Sequence, residues 1–224
     1  MRAVVMAVAL MVMPMVAGAE RPVVVELFTS QGCSSCPPAD RLLRGLAGRE
    51  DVLALAFHVT YWNGLGWVDP YAFEGATTRQ KRYAGLSGIG GIYTPQAVVD
   101  GAVDVVGSDG PGLRRAIAAG GRTEVAVSAV RAGDAVRVAL GAGRGAGQVV
   151  LVGYDREHVT KVARGENAGA TLVEANIVRE VAVIGAWDGT AVAVQGVAPA
   201  GEALAVLVQA GDGRIIGAAR VSPE

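Results

Sequence analysis

The stretch ELFTSQGCSSCPPAD, residues Glu26–Asp40, holds both cysteines of the 224-residue chain, Cys33 and Cys36. It overlaps a β-branched, apolar run that starts at Val23 and predicts a short buried strand. Two prolines follow Cys36, and they fit only the first turn of a helix, where backbone amides lack partners. Leucines at helical spacing come next. The sequence therefore predicts a strand, a loop and a helix with a Cys-x-x-Cys pair at its amino end.

This first helix is expected to begin close to Cys33 and to end near Gly48. Beyond it, apolar runs and helical patterns alternate up to Gly120. The predicted elements are a strand at Val52–Val59, a helix at Glu74–Leu86, two strands around the hairpin signal Asp100-Gly101, and a helix at Leu113–Ala119 after the capping residue Asp109.

After Gly120 the pattern changes to alternating or β-branched runs separated by Gly, Asp and Asn. Such short runs are typical of an antiparallel sandwich or barrel. The sequence thus predicts an α/β domain at residues 20–120 followed by a β-rich, sandwich-like domain at residues 121–224.

The first nineteen residues have the layout of a signal peptide. Arg2 precedes an uninterrupted apolar run at 3–16, and small residues at Ala17 and Ala19 fit the cleavage rule. The apolar run is shorter than a membrane-spanning helix needs. We expect an exported protein, periplasmic or secreted, with no membrane segment after cleavage; an uncleaved anchor is the alternative. Outside the cytoplasm a pair of cysteines persists as a disulfide.

The formal net charge of −1 disfavours nucleic acid and anionic membrane surfaces, which select basic patches. The expected partners are proteins or small molecules that carry thiols or disulfides. Oligomeric state is not predictable from these features.

A Cys-x-x-Cys at a strand-to-helix turn, with Thr94-Pro95 before a hairpin and a last helix, resembles the thioredoxin-like superfamily. The long form, with a signal peptide, "YTPQ" and "GENAG", is similar to a family of secreted bacterial proteins of unknown function with that fold. The resemblance implies a cis proline at Pro95, lying against the disulfide, with Thr94 on the substrate side. One departure is Gly32, because these enzymes commonly place a Trp there.

The predicted chemistry is thiol–disulfide exchange, in a direction that the sequence leaves open. A helix amino terminus stabilises an anion, and the thiolate is the nucleophilic form of cysteine. Cys33 leads the turn and should be the more exposed, so we predict it as the nucleophile and Cys36 as the resolving thiol. Glu26 matches the buried carboxylate of thioredoxin and is a candidate proton acceptor for Cys36; the alternative is an edge residue pointing to solvent. No cofactor beyond the disulfide is required.

Two other functions stay open at this point. A closed zinc site takes four ligands, and the chain offers two cysteines plus His58 and His158 in different halves, so no metal site is predicted. Two thiolates alone could hold copper(I). The remaining alternative is a binding or structural module whose disulfide fixes a turn.

Three further groups have both a functional and a structural interpretation. Trp62 and Trp67 lie in a Gly-rich aromatic loop that could grip a substrate or form a small core under the loop. Glu166 and Asn167 could serve a turn or form a polar site facing the dithiol. His58 ends a predicted strand and could lie near the dithiol, although a core or rim histidine is the simpler interpretation.

Overall fold

The computed structural model of the chain describes residues 21–88, 90–121 and 123–224, so the predicted signal peptide lies outside the described residues. The fold is mixed α/β and rich in sheet. Three helices are present in the described part: α1 (Pro37–Ala47), α2 (Glu74–Ser87) and α3 (Gly110–Ala119). The strands are β1 (Val23–Thr29), β2 (Val52–His58), β3 (Gln96–Val99), β4 (Val103–Val106), β5 (Val127–Ala132), β6 (Ala135–Leu140), β7 (Gly147–Lys161), β8 (Thr171–Trp187), β9 (Val192–Val197), β10 (Ala203–Ala210), β11 (Ile215–Arg220) and β12 (Ser222–Pro223).

The larger sheet has eight strands in the order β11-β10-β7-β8-β2-β1-β3-β4. β1 runs parallel to β2 and antiparallel to β3. β8 joins β2 through the pair Ala56 and Ile177, and Asn176 donates its side-chain amide to the carbonyl of Ala54 at 2.8 Å. The sheet therefore takes strands from both sides of the predicted domain boundary at residue 120.

The smaller sheet, in the order β12-β5-β6-β9, lies on the outer part of the larger one. The core between them combines Val136 and Val138 of β6 with Leu204, Val206 and Val208 of β10. The intervening residues of β10 point to the opposite core, because successive side chains of a strand alternate between faces. The predicted sandwich thus shares one of its sheets with the α/β part.

The same alternation sorts the residues of β1. Val25 and Leu27 pack with α1 and α3, whereas Val24 and Phe28 pack in the core that contains residues of α2. We call these the α1 face and the α2 face of the sheet. Glu26 shares the α2 face with Val24 and Phe28.

Local sequence signals account for the element ends. Asp100 and Gly101 both adopt left-handed φ angles, 49° and 68°, at the β3–β4 turn. Asp109 accepts the amide of Gly112 at 3.0 Å, so α3 begins at Gly110, three residues before the predicted start. Among the described residues, no helix has the length and apolarity needed to cross a membrane.

Candidate functional site

A disulfide joins Cys33 and Cys36 at the carboxyl end of β1, and Cys36 is the residue that precedes α1. Both cysteines are 0% exposed, although Ser34 and Ser35 between them are exposed. We expected Cys33 to be the more accessible of the two. The difference arises because the segment that contains Trp62 and the connection between β7 and β8 cover the residues around Cys33.

The start of α1 offers the sulfurs few amide donors. Pro37 and Pro38 have no N–H, and the next two amides, those of Ala39 and Asp40, both donate to the carbonyl of Cys36 at 2.8 and 3.1 Å. The side-chain hydroxyl of Ser35 lies 3.3 Å from the Cys33 Sγ. Stabilisation of a thiolate here would therefore come from the helix dipole and this hydroxyl.

The Thr94–Pro95 peptide bond is cis, and Pro95 is buried. Ser35 Oγ donates to the Thr94 carbonyl at 3.5 Å, and Trp62 Nε1 donates to the Thr94 hydroxyl at 2.8 Å. A Cβ at Gly32 would lie 3.2 Å from the Cβ of Trp62. Trp62, from the aromatic loop, thus fills the space beside the dithiol that a side chain at position 32 would need.

The tip of the β7–β8 hairpin, residues 162–170, also reaches the segment that links β1 to α1, residues 30–36, here called the dithiol loop. Glu166 accepts the amide of Ser34 at 3.1 Å. Asn167 donates its side-chain amide to the carbonyls of Gln31 and Cys33, each at 2.9 Å. The hairpin tip therefore binds the backbone of the dithiol loop through Glu166 and Asn167, the two residues for which the sequence offered a polar site facing the dithiol.

Trp67 contacts the same loop from another side. Its Nε1 donates to the side-chain carbonyl of Gln31 at 3.0 Å. A Cβ at Gly165 of the hairpin tip would lie 3.1 Å from the Cβ of Trp67, so glycine permits this close approach. Both tryptophans are half-buried and positioned by hydrogen bonds to residues at the dithiol.

Glu26 lies on the α2 face and is fully buried, which excludes the solvent-facing alternative. Arg79 donates to its two carboxylate oxygens at 2.6 and 3.2 Å, and Tyr83 donates its hydroxyl to the same carboxylate. Burial and then the Glu26 charge raise the pKa of Tyr83. Among the described residues no hydrogen bond joins Glu26 to either cysteine, and α1 packs on the other face.

A second set of buried ionisable side chains lies on the α1 face, beneath the dithiol loop: Asp40, His58, Asp69 and Glu174, here called the acid cluster. Asp69 binds His58 Nδ1 at 2.8 Å and accepts the amide of Gln31 at 2.8 Å. Glu174 accepts from Gln31 Nε2 at 2.6 Å. Asp40 accepts the hydroxyl of Thr29 at 2.7 Å. Four separate segments of the chain contribute to this cluster.

Burial and mutual charge shift the pKa values in the acid cluster. Burial, followed by the charge of Glu174, raises the pKa of Asp40 to about 7. Burial also raises the pKa of Glu174. Burial by itself would lower the pKa of His58, but the neighbouring carboxylates outweigh it and raise that pKa to about 9. Burial would raise the pKa of Asp69, yet His58 holds it below its usual value. The cluster therefore holds one carboxyl group, that of Asp40, whose pKa lies near neutral pH.

Sequence reasoning did not find the acid cluster. It favoured a core or rim position for His58. One signal was present: Asp40 follows Cys36 by four residues, which places the two on the same side of a helix. Within the described part of the chain, no group of three or more His, Cys, Asp or Glu is arranged to hold a metal ion.

Comparison with known families matches residues 24–209 to a family described as "Protein of unknown function (DUF1223)". The chain belongs to the DUF1223 family. No curated protein matches the chain.

Two solved structures are similar to this DUF1223 chain. The X-ray structure of a protein from Agrobacterium tumefaciens is 37% identical, with a TM-score of 0.80, and covers 92% of this chain and 96% of its own. HBP35 of Porphyromonas gingivalis is 13% identical, with a TM-score of 0.53, and covers 92% of this chain and 78% of its own. The second similarity concerns the fold alone.

Proposed function

We propose that this chain is an exported thiol–disulfide oxidoreductase, periplasmic or secreted, whose N-terminal part is thioredoxin-like. The main support is the Cys33–Cys36 disulfide, which stands between buried β1 and α1 and beside the cis Thr94–Pro95 bond. The element order β1-α1-β2-α2-β3-β4-α3, with β1 between β2 and β3, also fits this proposal.

The proposed reaction requires only the disulfide as redox group. A thiolate of the partner attacks Cys33 Sγ, the Cys33–Cys36 bond breaks, and its electron pair leaves on Cys36 Sγ, which then takes a proton. A second partner thiolate attacks the mixed disulfide and releases Cys33. The partner's two sulfurs are oxidised to a disulfide, and the protein's two sulfurs are reduced.

The burial of both cysteines adds a step to this reaction. A partner sulfur can reach Cys33 only if a covering segment moves. The hairpin tip is the best candidate, because it is held to the dithiol loop by the hydrogen bonds of Glu166 and Asn167 and its residues are mostly exposed. Opening of this tip would then limit the rate of exchange.

Exchange with a protein disulfide, followed spectroscopically, tests the proposal. Wild-type protein should accelerate reduction of the protein disulfide by a small thiol, and Cys33→Ser should abolish this acceleration. Cys36→Ser should instead accumulate a mixed disulfide on Cys33, visible as a mass increase. A native protein that dithiothreitol reduces only after denaturation, and that forms no mixed disulfide, would rule the activity out.

A non-catalytic module is the second candidate, and the 0% exposure of both cysteines is the observation that favours it. In that case the disulfide only closes a four-residue loop, which contributes about 2 kcal/mol by the chain-entropy relation. Double substitution of both cysteines by Ser would then lower the free energy of unfolding by about that amount, with no exchange activity to lose.

A further inference from the structure

We propose that the acid cluster is a proton relay between the dithiol and solvent, supplying a proton to Cys36 when the disulfide is reduced and recovering it when the disulfide re-forms. The inference rests on the proposed function, since it concerns the same dithiol. It also gives the β-rich part of the chain a role at that site, because Glu174 belongs to β8.

The cluster adjoins both ends of the dithiol along the chain. Asp40 lies one helical turn after Cys36 on the same side of α1, and both are buried. On the other side, Gln31 stands two residues before Cys33 and donates to two cluster members, through its backbone amide to Asp69 and through its side chain to Glu174. A change in the charge of the cluster therefore acts on both cysteines.

Two atoms at the centre of the cluster lack hydrogen-bond partners within the described residues. They are His58 Nε2 and Glu174 Oε1, both buried, which face each other at 3.8 Å. An unsatisfied buried polar atom destabilises the folded state, so the 3.8 Å separation is unfavourable as it stands. The two atoms attract each other when Nε2 carries a proton and Glu174 is ionised. They also attract when Glu174 carries the proton and Nε2 does not, and in either state the two atoms can approach to hydrogen-bond distance. The centre can therefore hold a proton in more than one place.

The surroundings of the cluster contain few compensating charges. Thr29 at the end of β1 and Gln31 in the dithiol loop face the cluster. Tyr71 lies against the edge of the His58 ring, and Thr160 and His158 lie beside the cluster on β7. Arg41 and Arg44 lie on the outer side of α1. Three carboxyl groups thus share one buried imidazole, so protonation of one carboxyl relieves repulsion.

A cavity of about 150 Å³ gives the cluster a route to solvent. Asp40 and Glu174 line it together with Pro37, Arg41 and Arg44, beside the first turn of α1. The two arginines are exposed, so the cavity lies at the surface. A proton can therefore enter or leave through Asp40 and Glu174 without passing the covered face of the dithiol.

The proton balance of the exchange reaction fits this arrangement. When a partner thiolate breaks the Cys33–Cys36 bond, Cys36 leaves with an electron pair and takes a proton from the Asp40 carboxyl group. Glu174 or solvent in the cavity then returns a proton to Asp40. Re-formation of the disulfide runs these steps in reverse, so the cluster ends each cycle in the protonation state in which it began.

Proton NMR of the wild-type protein tests the coupling directly, because the chain holds only two histidines, His58 and His158. The midpoint of the His58 titration should differ by at least half a pH unit between the disulfide and dithiol forms, while His158, assigned with His158→Gln, should shift less. Identical His58 titrations in the two forms would overturn the relay. This measurement needs no variant that might unfold and no exchange activity.

The pH dependence of the glutathione equilibrium gives a second test. For wild-type protein, the logarithm of the equilibrium constant for reduction should bend near pH 7, and Asp40→Asn and Glu174→Gln should each remove the bend. Glu180→Gln, which changes an exposed carboxylate on β8 away from the cluster, is the matched control and should keep it. Exchange activity with no bend and no His58 shift refutes the relay alone; a His58 shift without exchange activity refutes the proposed function alone.

Discussion

The two faces of the larger sheet bury polar clusters of different kinds. On the α2 face, Glu26 is matched by Arg79, and Tyr83 and Gln209 complete the set with hydrogen bonds of 2.9–3.1 Å to each other and to Arg79. No buried side-chain atom of this set lacks a partner among the described residues. On the α1 face, three carboxyl groups surround one imidazole, and two buried atoms are unpaired.

This difference indicates different roles for the two clusters. A matched, fully bonded set resists any change in protonation, because each charge has a fixed partner. An unmatched set holds its protons less firmly and responds to a nearby change of charge. Only the unmatched set lies beside the dithiol loop. We therefore assign the α2-face cluster to stability and the α1-face cluster to the site.

The largest effect on stability is expected from a substitution that breaks the matched cluster. Glu26→Gln leaves the buried Arg79 guanidinium without a counter-charge and should lower the free energy of unfolding in urea by about 3–5 kcal/mol. The rate of exchange per folded molecule should stay unchanged, because Glu26 faces away from α1. The double variant Glu26→Gln/Arg79→Gln is the control and should recover part of the loss. Slower resolution of a mixed disulfide in Glu26→Gln would instead support the predicted role of Glu26 as a proton acceptor.

The next effect concerns the pH dependence of stability. The raised pKa of Asp40 means that the folded state holds this proton more firmly than the unfolded state does. The resulting stability is present at low pH and is lost as the pH rises from about 4 to about 7. Each pH unit in this window is worth about 1.4 kcal/mol, so wild-type protein should lose about 3 kcal/mol relative to Asp40→Asn between pH 4.5 and 7.

Urea unfolding of both proteins at several pH values measures this difference. His58, whose pKa is also raised, contributes stability that is lost only between about pH 6.5 and pH 9, so most of the window between pH 4.5 and 7 is free of its titration. Parallel stability curves for the wild type and Asp40→Asn would show that Asp40 titrates normally.

The smallest effect is expected at the hairpin tip, which contacts the dithiol loop above the unmatched acid cluster. Asn167→Ala removes two hydrogen bonds to backbone carbonyls and should cost about 1 kcal/mol of stability, since solvent can replace them. If the tip must open for exchange, the same change should speed reduction by dithiothreitol roughly fivefold.

Glu157→Gln is the matched control for the hairpin tip. It removes one exposed ion pair with Arg44 and should change stability by less than about 0.5 kcal/mol, with no effect on the reduction rate. Equal reduction rates for Asn167→Ala and wild-type protein would show that the tip does not limit access to the disulfide.

Local sequence patterns predicted several features of the site. The prolines after Cys36 placed the dithiol at the start of α1, and Asp100-Gly101 marked the β3–β4 turn. Each of these depends on the backbone preferences of a few neighbouring residues, which the sequence shows directly. The predicted bounds of α2, Glu74–Leu86, differ from the observed bounds, Glu74–Ser87, by one residue.

The burial of Cys33 and the composition of the acid cluster could not be predicted in the same way. Glu174 stands 134 positions after Asp40, and no local pattern links them. The placement of the Glu26 carboxylate also depends on the tertiary structure, which sets it on the α2 face against Arg79 because strand residues alternate between faces. Its role as proton acceptor for Cys36 stays a prediction.

The sequence by itself determined the dithiol, its place between a strand and a helix, and the β-rich character of the second half, because these follow from residue types within a few positions of one another. The tertiary structure alone decided that β8 joins the central sheet, bringing the hairpin tip and Glu174 to the dithiol. Such contacts depend on long-range packing of apolar faces. Burial in that packing raises the pKa of Asp40, and the carboxylates that the packing brings together raise the pKa of His58.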